Sequence, residues 1–99
     1  MSGITRDGGL TATQKANAEV QNICDHVKAQ FIQESGVNVS VFKAIEYREQ
    51  VVAGTNYFIK VHITGHDYVH LRVYRSVENS FELTSYQLNK KRKDELIYF

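Results

Sequence analysis

The residues of this chain whose types could do chemistry are four histidines, one cysteine, a basic run and an uncharged turn. His62 and His70 flank the turn Thr64-Gly65-His66-Asp67. If residues 65 to 67 form the loop, pairing runs 64 with 68 and therefore 62 with 70. That pairing sets the two imidazoles about 5 Å apart across the strands. Zinc takes three or four ligands, and no carboxylate or cysteine stands in register beside the pair. The histidines therefore read as a solvated sheet face, and no metal or other cofactor is expected. Cys24 has no second cysteine to bridge to, and a nucleophilic thiol needs His and Asn partners in a much larger chain; it reads as a half-buried helix residue. Lys90-Lys91-Arg92-Lys93 could mark a nucleic-acid or nuclear-targeting patch. Asp94 and Glu95 follow at once and no aromatic interleaves the run, so a solvated loop between two strands is expected, with no nucleic-acid partner. There is no glycine-rich phosphate loop at a strand-to-helix junction, and the chain does not read as an enzyme.

The uncharged turn is Gln50-Val51-Val52-Ala53-Gly54. Exposed turns favour polar residues, yet Val51, Val52 and Ala53 run straight into this tip. Two readings fit. One is a strand that stays buried up to its turn. The other is a presented apolar wedge, stiff because it is a hairpin and cheap to desolvate because it carries no charge. Both need Gly54 for the reversal.

Periodicity supplies the elements that would hold these residues. Residues 1–10 hold Gly3, Gly8 and Gly9 and little that could be packed, so they read as a flexible arm. Val20, Ile23, Cys24, Val27 and Phe31 fall on one stripe of a helix over roughly 18–35, with Asn17 as N-cap and Gly36 as the stop. After Gly36 the period changes to two. Val39, Val41, Ile45, Tyr47 and Val51 share one face of a long strand, and Ala53 to Asn56 break the run. Tyr57, Ile59, Val61 and Ile63 follow in a second strand, then Val69, Leu71 and Val73 in a third. Phe81 to Leu88 form a fourth, and Leu96 to Phe99 a last edge strand. Tight turns between successive strands make an antiparallel meander. One helix packed across a 4-5-stranded antiparallel sheet is a two-layer α+β fold.

Composition agrees. Ninety-nine residues, 42% apolar and 23% charged, make a single domain over 1–99. Such a chain buries about 60–70% of its unfolded surface, too little for a large enclosed active site. The net charge of +1 is spread evenly and advertises no nucleic-acid binder. No apolar run approaches the ~18 residues of a membrane span, and no partner membrane is expected. With a single cysteine and no apolar run near its start, the protein is expected in the cytoplasm, with the nucleus as a further compartment.

QVVAG at 50–54, running on as GTNYFIKVH through His62, then VHLRV at 69–73 and DEL-x-YF over 94–99, is similar to the stefins, the intracellular type 1 cystatins, cystatin B-like in subtype. The resemblance covers nearly the whole chain. It implies the cystatin fold and a tight, reversible, competitive inhibitor of papain-like cysteine proteases such as cathepsins L, S, H and B. Carried onto this sequence, Gly8 with Gly9 and Leu10 would form the arm, with Gly8 as the family glycine and Gly9 its rival. Gln50, Val51, Val52, Ala53 and Gly54 would form the first loop, and Ser76, Val77, Glu78 and Asn79 the second. The arm would lie along the non-primed subsites and the hairpins along the primed side, so that no peptide carbonyl meets the thiolate. The chain departs from the family at Arg6-Asp7 in the arm and in a second hairpin that is shorter and lacks Leu-Pro. A monomer is expected, with exchange of elements through the first hairpin as a route to a non-inhibitory dimer. The alternative is a non-inhibitory interaction protein on the same fold, which would tolerate Val51→Asp and Val52→Asp.

Overall fold

Asn17 starts the helix. Its extended backbone leaves the side-chain oxygen free to accept from the Val20 amide at 2.9 Å, and α1 (Ala18–Ser35) runs until Gly36 turns left-handed, φ 71°, and closes onto the Ile32 carbonyl. In this computed structural model, which describes residues 9–99, α1 lies across a five-stranded antiparallel sheet. The strands are β1 (Gln14–Lys15), β2 (Lys43–Val52), β3 (Gly54–Thr64), β4 (Asp67–Arg75) and β5 (Phe81–Lys90), adjacent in chain order. No helix among the described residues is long and apolar enough to cross a membrane.

The predicted helix stripe is the buried one: Val20, Ile23, Cys24, Val27 and Phe31. They meet Tyr47, Ile59, Val61, Leu71 and Val73 from the sheet. Phe31 stacks edge-on against Tyr86 with centroids 5.4 Å apart. Each fully buried Ile or Phe contributes roughly 1.5–3 kcal/mol, so this seam sets the orientation of helix and sheet. Gln21 adds direction: its amide donates to the Phe42 carbonyl and accepts from the Ala44 amide, at 2.9 and 2.8 Å.

The structure corrects four expectations. The strand expected from Val39 begins at Lys43, and a bulge at Ile45 shifts its alternation, because Ala44 pairs with Val61 while Glu46 pairs with Lys60. Phe42 and Ala44 therefore face the core, and Val41 is exposed. A tighter turn, with Thr64 pairing with Asp67, and a second bulge at Ile63 change the next hairpin: His62 pairs with Tyr68, and His70 with Lys60. His62 and His70 are thus not cross-strand partners. Third, Leu96 to Phe99 form no edge strand; they lie over the other face of the sheet, where Leu96 packs on Phe58 and Leu10. Fourth, that face is not solvated, since Lys60 and His70 are buried in it, and Leu10, expected within a flexible arm, is buried too. The rest of that expectation, residues 1–8, lies outside the described residues.

Candidate functional site: a rigid edge carrying three exposed valines

The first hairpin stays paired to its tip. Val51 faces Thr55 and Val52 faces Gly54, leaving Ala53 alone at the turn. β-Branched valines hold extended backbone well, so the tip keeps strand geometry where most loops would loosen. The Asn56 amide donates to the Gln50 side chain at 2.8 Å just below the tip. Val51 is 76% exposed and Val52 45%, so the strand does not stay buried up to its turn. Gly54, at φ +99°, is the enabling residue. A Cβ there would come within 2.7 Å of the Tyr74 hydroxyl and closer still to the Arg75 carbonyl. The same Tyr74 hydroxyl donates to the Ala53 carbonyl, tying the tip to β4.

Thr55 pairs with Arg75, so the loop after β4 stands beside the first hairpin. Ser76 organises that loop alone. Its hydroxyl accepts from the Glu78 and Ser80 amides, both at 3.1 Å, and its carbonyl accepts from Asn79 at 2.9 Å. Asn79 takes the left-handed conformation, φ 66°, that this short turn requires. Val77 is pushed outward, 78% exposed. Arg75 anchors the base, ion-paired to Glu19 at 3.3 Å and lying over the Tyr57 ring.

The chain preceding β1 approaches the same end of the sheet. Gln14 pairs with Tyr47 and Lys15 with Glu46, so each step backward along the chain moves toward the first tip. Thr11 bonds Glu49 twice, amide to carbonyl at 2.8 Å and Glu49 amide to Thr11 hydroxyl at 2.9 Å. Gly9 is exposed with φ +80°, while Leu10 turns its side chain inward. Gly8 lies outside the described residues.

Elsewhere the candidate chemistry dissolves. The His62 ring bonds the Gly65 carbonyl at 2.7 Å and stacks on Tyr68. Among the described residues no three His, Cys, Asp or Glu side chains gather to hold a metal. Lys90 closes β5 opposite Tyr68, Lys91 reaches Asp67 at 3.9 Å, and the Arg92 carbonyl accepts from Lys60. The basic run thus includes a strand end rather than a free loop. Cys24 is fully rather than half buried, and burial first, then the Asp25 charge, pushes its thiol up to about 12. A thiol reagent should leave Cys24 untouched in the native protein and label it on unfolding; rapid native labelling would contradict this burial.

One helix lies across a five-stranded antiparallel meander, and the first hairpin tip, the loop after β4 and the segment before β1 stand at one end of it. The chain belongs to the cystatin family, whose domain, described as Cystatin domain, matches residues 8–93. It is 50% identical to Cystatin-A of Mus musculus over 94 residues, 93% of this chain and 97% of that protein. It is equally identical to Cystatin-B of Homo sapiens and of Bos taurus over 95 residues, with the same coverage. This is a family of cysteine protease inhibitors, not of enzymes.

Proposed function

We propose that the chain is a reversible, tight-binding competitive inhibitor of papain-like cysteine proteases, cathepsins L, S, H and B among them, acting in the cytoplasm as a monomer. The observation that carries this reading is the exposure of Val51, Val52 and Val77 at one end of the sheet, where the Thr55–Arg75 pairing and the Tyr74 hydroxyl hold the first hairpin tip to β4. An apolar edge fixed before docking loses little conformational freedom on binding, so its buried area is converted to affinity efficiently. Interfaces of this class bury about 1,600 Å² in total. The hairpins fill the primed side of the cleft, and the arm carrying Gly8 and Gly9 follows the other side, where glycine permits close backbone approach. Leu10, buried, serves as the anchor of that arm rather than as its contact.

Titration of active papain with the purified protein should abolish activity near one equivalent, and the protein should be recovered at full mass. Papain left fully active, or a cleaved inhibitor, would overturn the reading. Val51→Asp and Val52→Asp should each weaken inhibition about tenfold or more, because an unpaired carboxylate desolvated in the cleft costs more than the roughly 1–3 kcal/mol of a neutral polar group. Their thermal melts should match the parent, since both positions are solvent-exposed in the free protein. Undiminished inhibition by both variants would place the contact elsewhere.

A further inference from the structure

The segment after β5 joins no sheet edge, yet it crosses the face opposite α1 and is fastened there at several points. The Lys60 ammonium, buried and ion-paired to Glu46 at 3.2 Å, donates to the carbonyls of Arg92 and Asp94. Arg72 donates to the Phe99 carbonyl oxygen at 2.6 Å and lies over the rings of Phe58 and Tyr98. Arg48 does something more. Its NH1 donates to the Leu96 carbonyl at 2.7 Å and its Nε to the Thr11 carbonyl at 2.8 Å, so a single buried guanidinium, 7% exposed, ties the end of the chain to its beginning. Beneath it, Leu96 packs with Phe58 against Leu10.

We propose that residues 91–99 form a strap that sets the inhibitory arm, with Arg48 and Leu96 as positioning residues that fix the arm's root beside the first hairpin. The inference rests on the arm's proposed role in protease binding. Apart from the two Thr11–Glu49 bonds, strand pairing gives the root little help, because β1 is two residues long. A strand that short is marginal by itself. Two links brace the Gly9-Leu10-Thr11 corner from the side of the strap: the Arg48 bond to the Thr11 carbonyl and the Leu10 contact with Leu96. A planar fork with fixed donors suits such a joint, since both carbonyls are met without bending the side chain. An arm held at its root docks in one geometry; an arm freed there must be ordered during binding, and the loss falls on complex lifetime.

The test uses the full chain with Arg48→Met, which keeps an unbranched apolar stem and removes the donors, Arg48→Lys, which keeps the charge, and Leu96→Ala. Hydrogen exchange should quicken about tenfold at the Thr11 and Glu49 amides in Arg48→Met and Leu96→Ala, with protection at Ile23 and Val27 unchanged. Arg48→Lys should fall between. Papain dissociation should speed up about tenfold in Arg48→Met with little change in association. On a Gly8→Arg background, where the arm is already disengaged, the same substitution should add nothing. Unchanged exchange at Thr11 in both strap variants would overturn the strap, as would exchange that rises equally in the helix. Quickened exchange with unchanged dissociation would overturn its link to inhibition. A silent Gly8→Arg, or a parent that leaves papain active, would instead sink the arm reading while the exchange result still judges the strap.

Discussion

Gly54→Ala is expected to raise the papain inhibition constant at least a hundredfold and to lower the melting temperature by roughly 10–20 °C. The new methyl would sit within 2.7 Å of the Tyr74 hydroxyl and closer to the Arg75 carbonyl, and a backbone oxygen in a paired strand has little room to retreat. Alanine at φ +99° adds backbone strain of about 1–3 kcal/mol, and forcing the contact costs about 1–3 kcal/mol more. The entropy gained by restricting the unfolded chain offsets only about 0.4–1 kcal/mol, so the net is a loss of about 3 kcal/mol. Relief requires the hairpins to part, which breaks the Tyr74 bond to the Ala53 carbonyl and moves Val51 and Val52 away from Val77. Inhibition therefore suffers beyond the stability cost. Gly65→Ala is the control, because a Cβ there meets nothing within 4 Å and lies at the opposite end of β3; it should cost about 1 kcal/mol and leave inhibition intact. Thermal melts by circular dichroism and papain titration of both variants decide the matter. A Gly54→Ala protein that melts within a few degrees of the parent and inhibits equally well would refute the packing argument.

Patterns tied to one dominant period were readable in the sequence. The helix stripe from Val20 to Phe31 is buried as its spacing predicts, because a surface helix has one core-facing side and one capping residue at each end. The bulges at Ile45 and Ile63 were not readable. A bulge inserts one residue with no compositional mark, and every later register assignment inherits the shift; together with a turn one residue tighter than expected, it separates His62 from His70. The strap escaped for a different reason. Leu96-Ile97-Tyr98-Phe99 has strand composition, but whether such a segment pairs at an edge or covers a face depends on what the face needs. This face holds Phe58, Lys60 and His70, which must be shielded or satisfied. At the site, the apolar tip was legible as an anomaly, whereas its exposure depended on tertiary placement. Arg48 gave no signal at all, since an arginine alternating with apolar residues reads as an outward side chain.

His70 is expected to make the fold acid-sensitive. The ring is completely buried on the strap side of the sheet, and neither nitrogen has a hydrogen-bond partner. Lys60 pairs with it from β3 and Gln87 from β5, Lys90 bears on it from the end of β5, and Asp94 faces it from the strap. Burial lowers its pKa first, the Lys60 and Lys90 charges lower it further, and Asp94 opposes them weakly, leaving it at about 4 against an ordinary 6.5. The unfolded chain therefore binds more protons than the folded one between those values, and stability must fall with pH across that window. The contribution of neutral His70 is complete above pH 6.5 and is lost progressively down to about pH 4, where it amounts to about 3 kcal/mol. Urea unfolding at pH 7 and pH 4.5 should show a drop of about 2.5 kcal/mol that His70→Leu largely removes, since leucine fills a similar volume without a proton to accept. The strap should loosen first in the parent, because the proton arrives beside the ammonium that holds the Arg92 and Asp94 carbonyls. Equal pH slopes in parent and variant would assign the acid sensitivity to other groups and remove His70 from the argument.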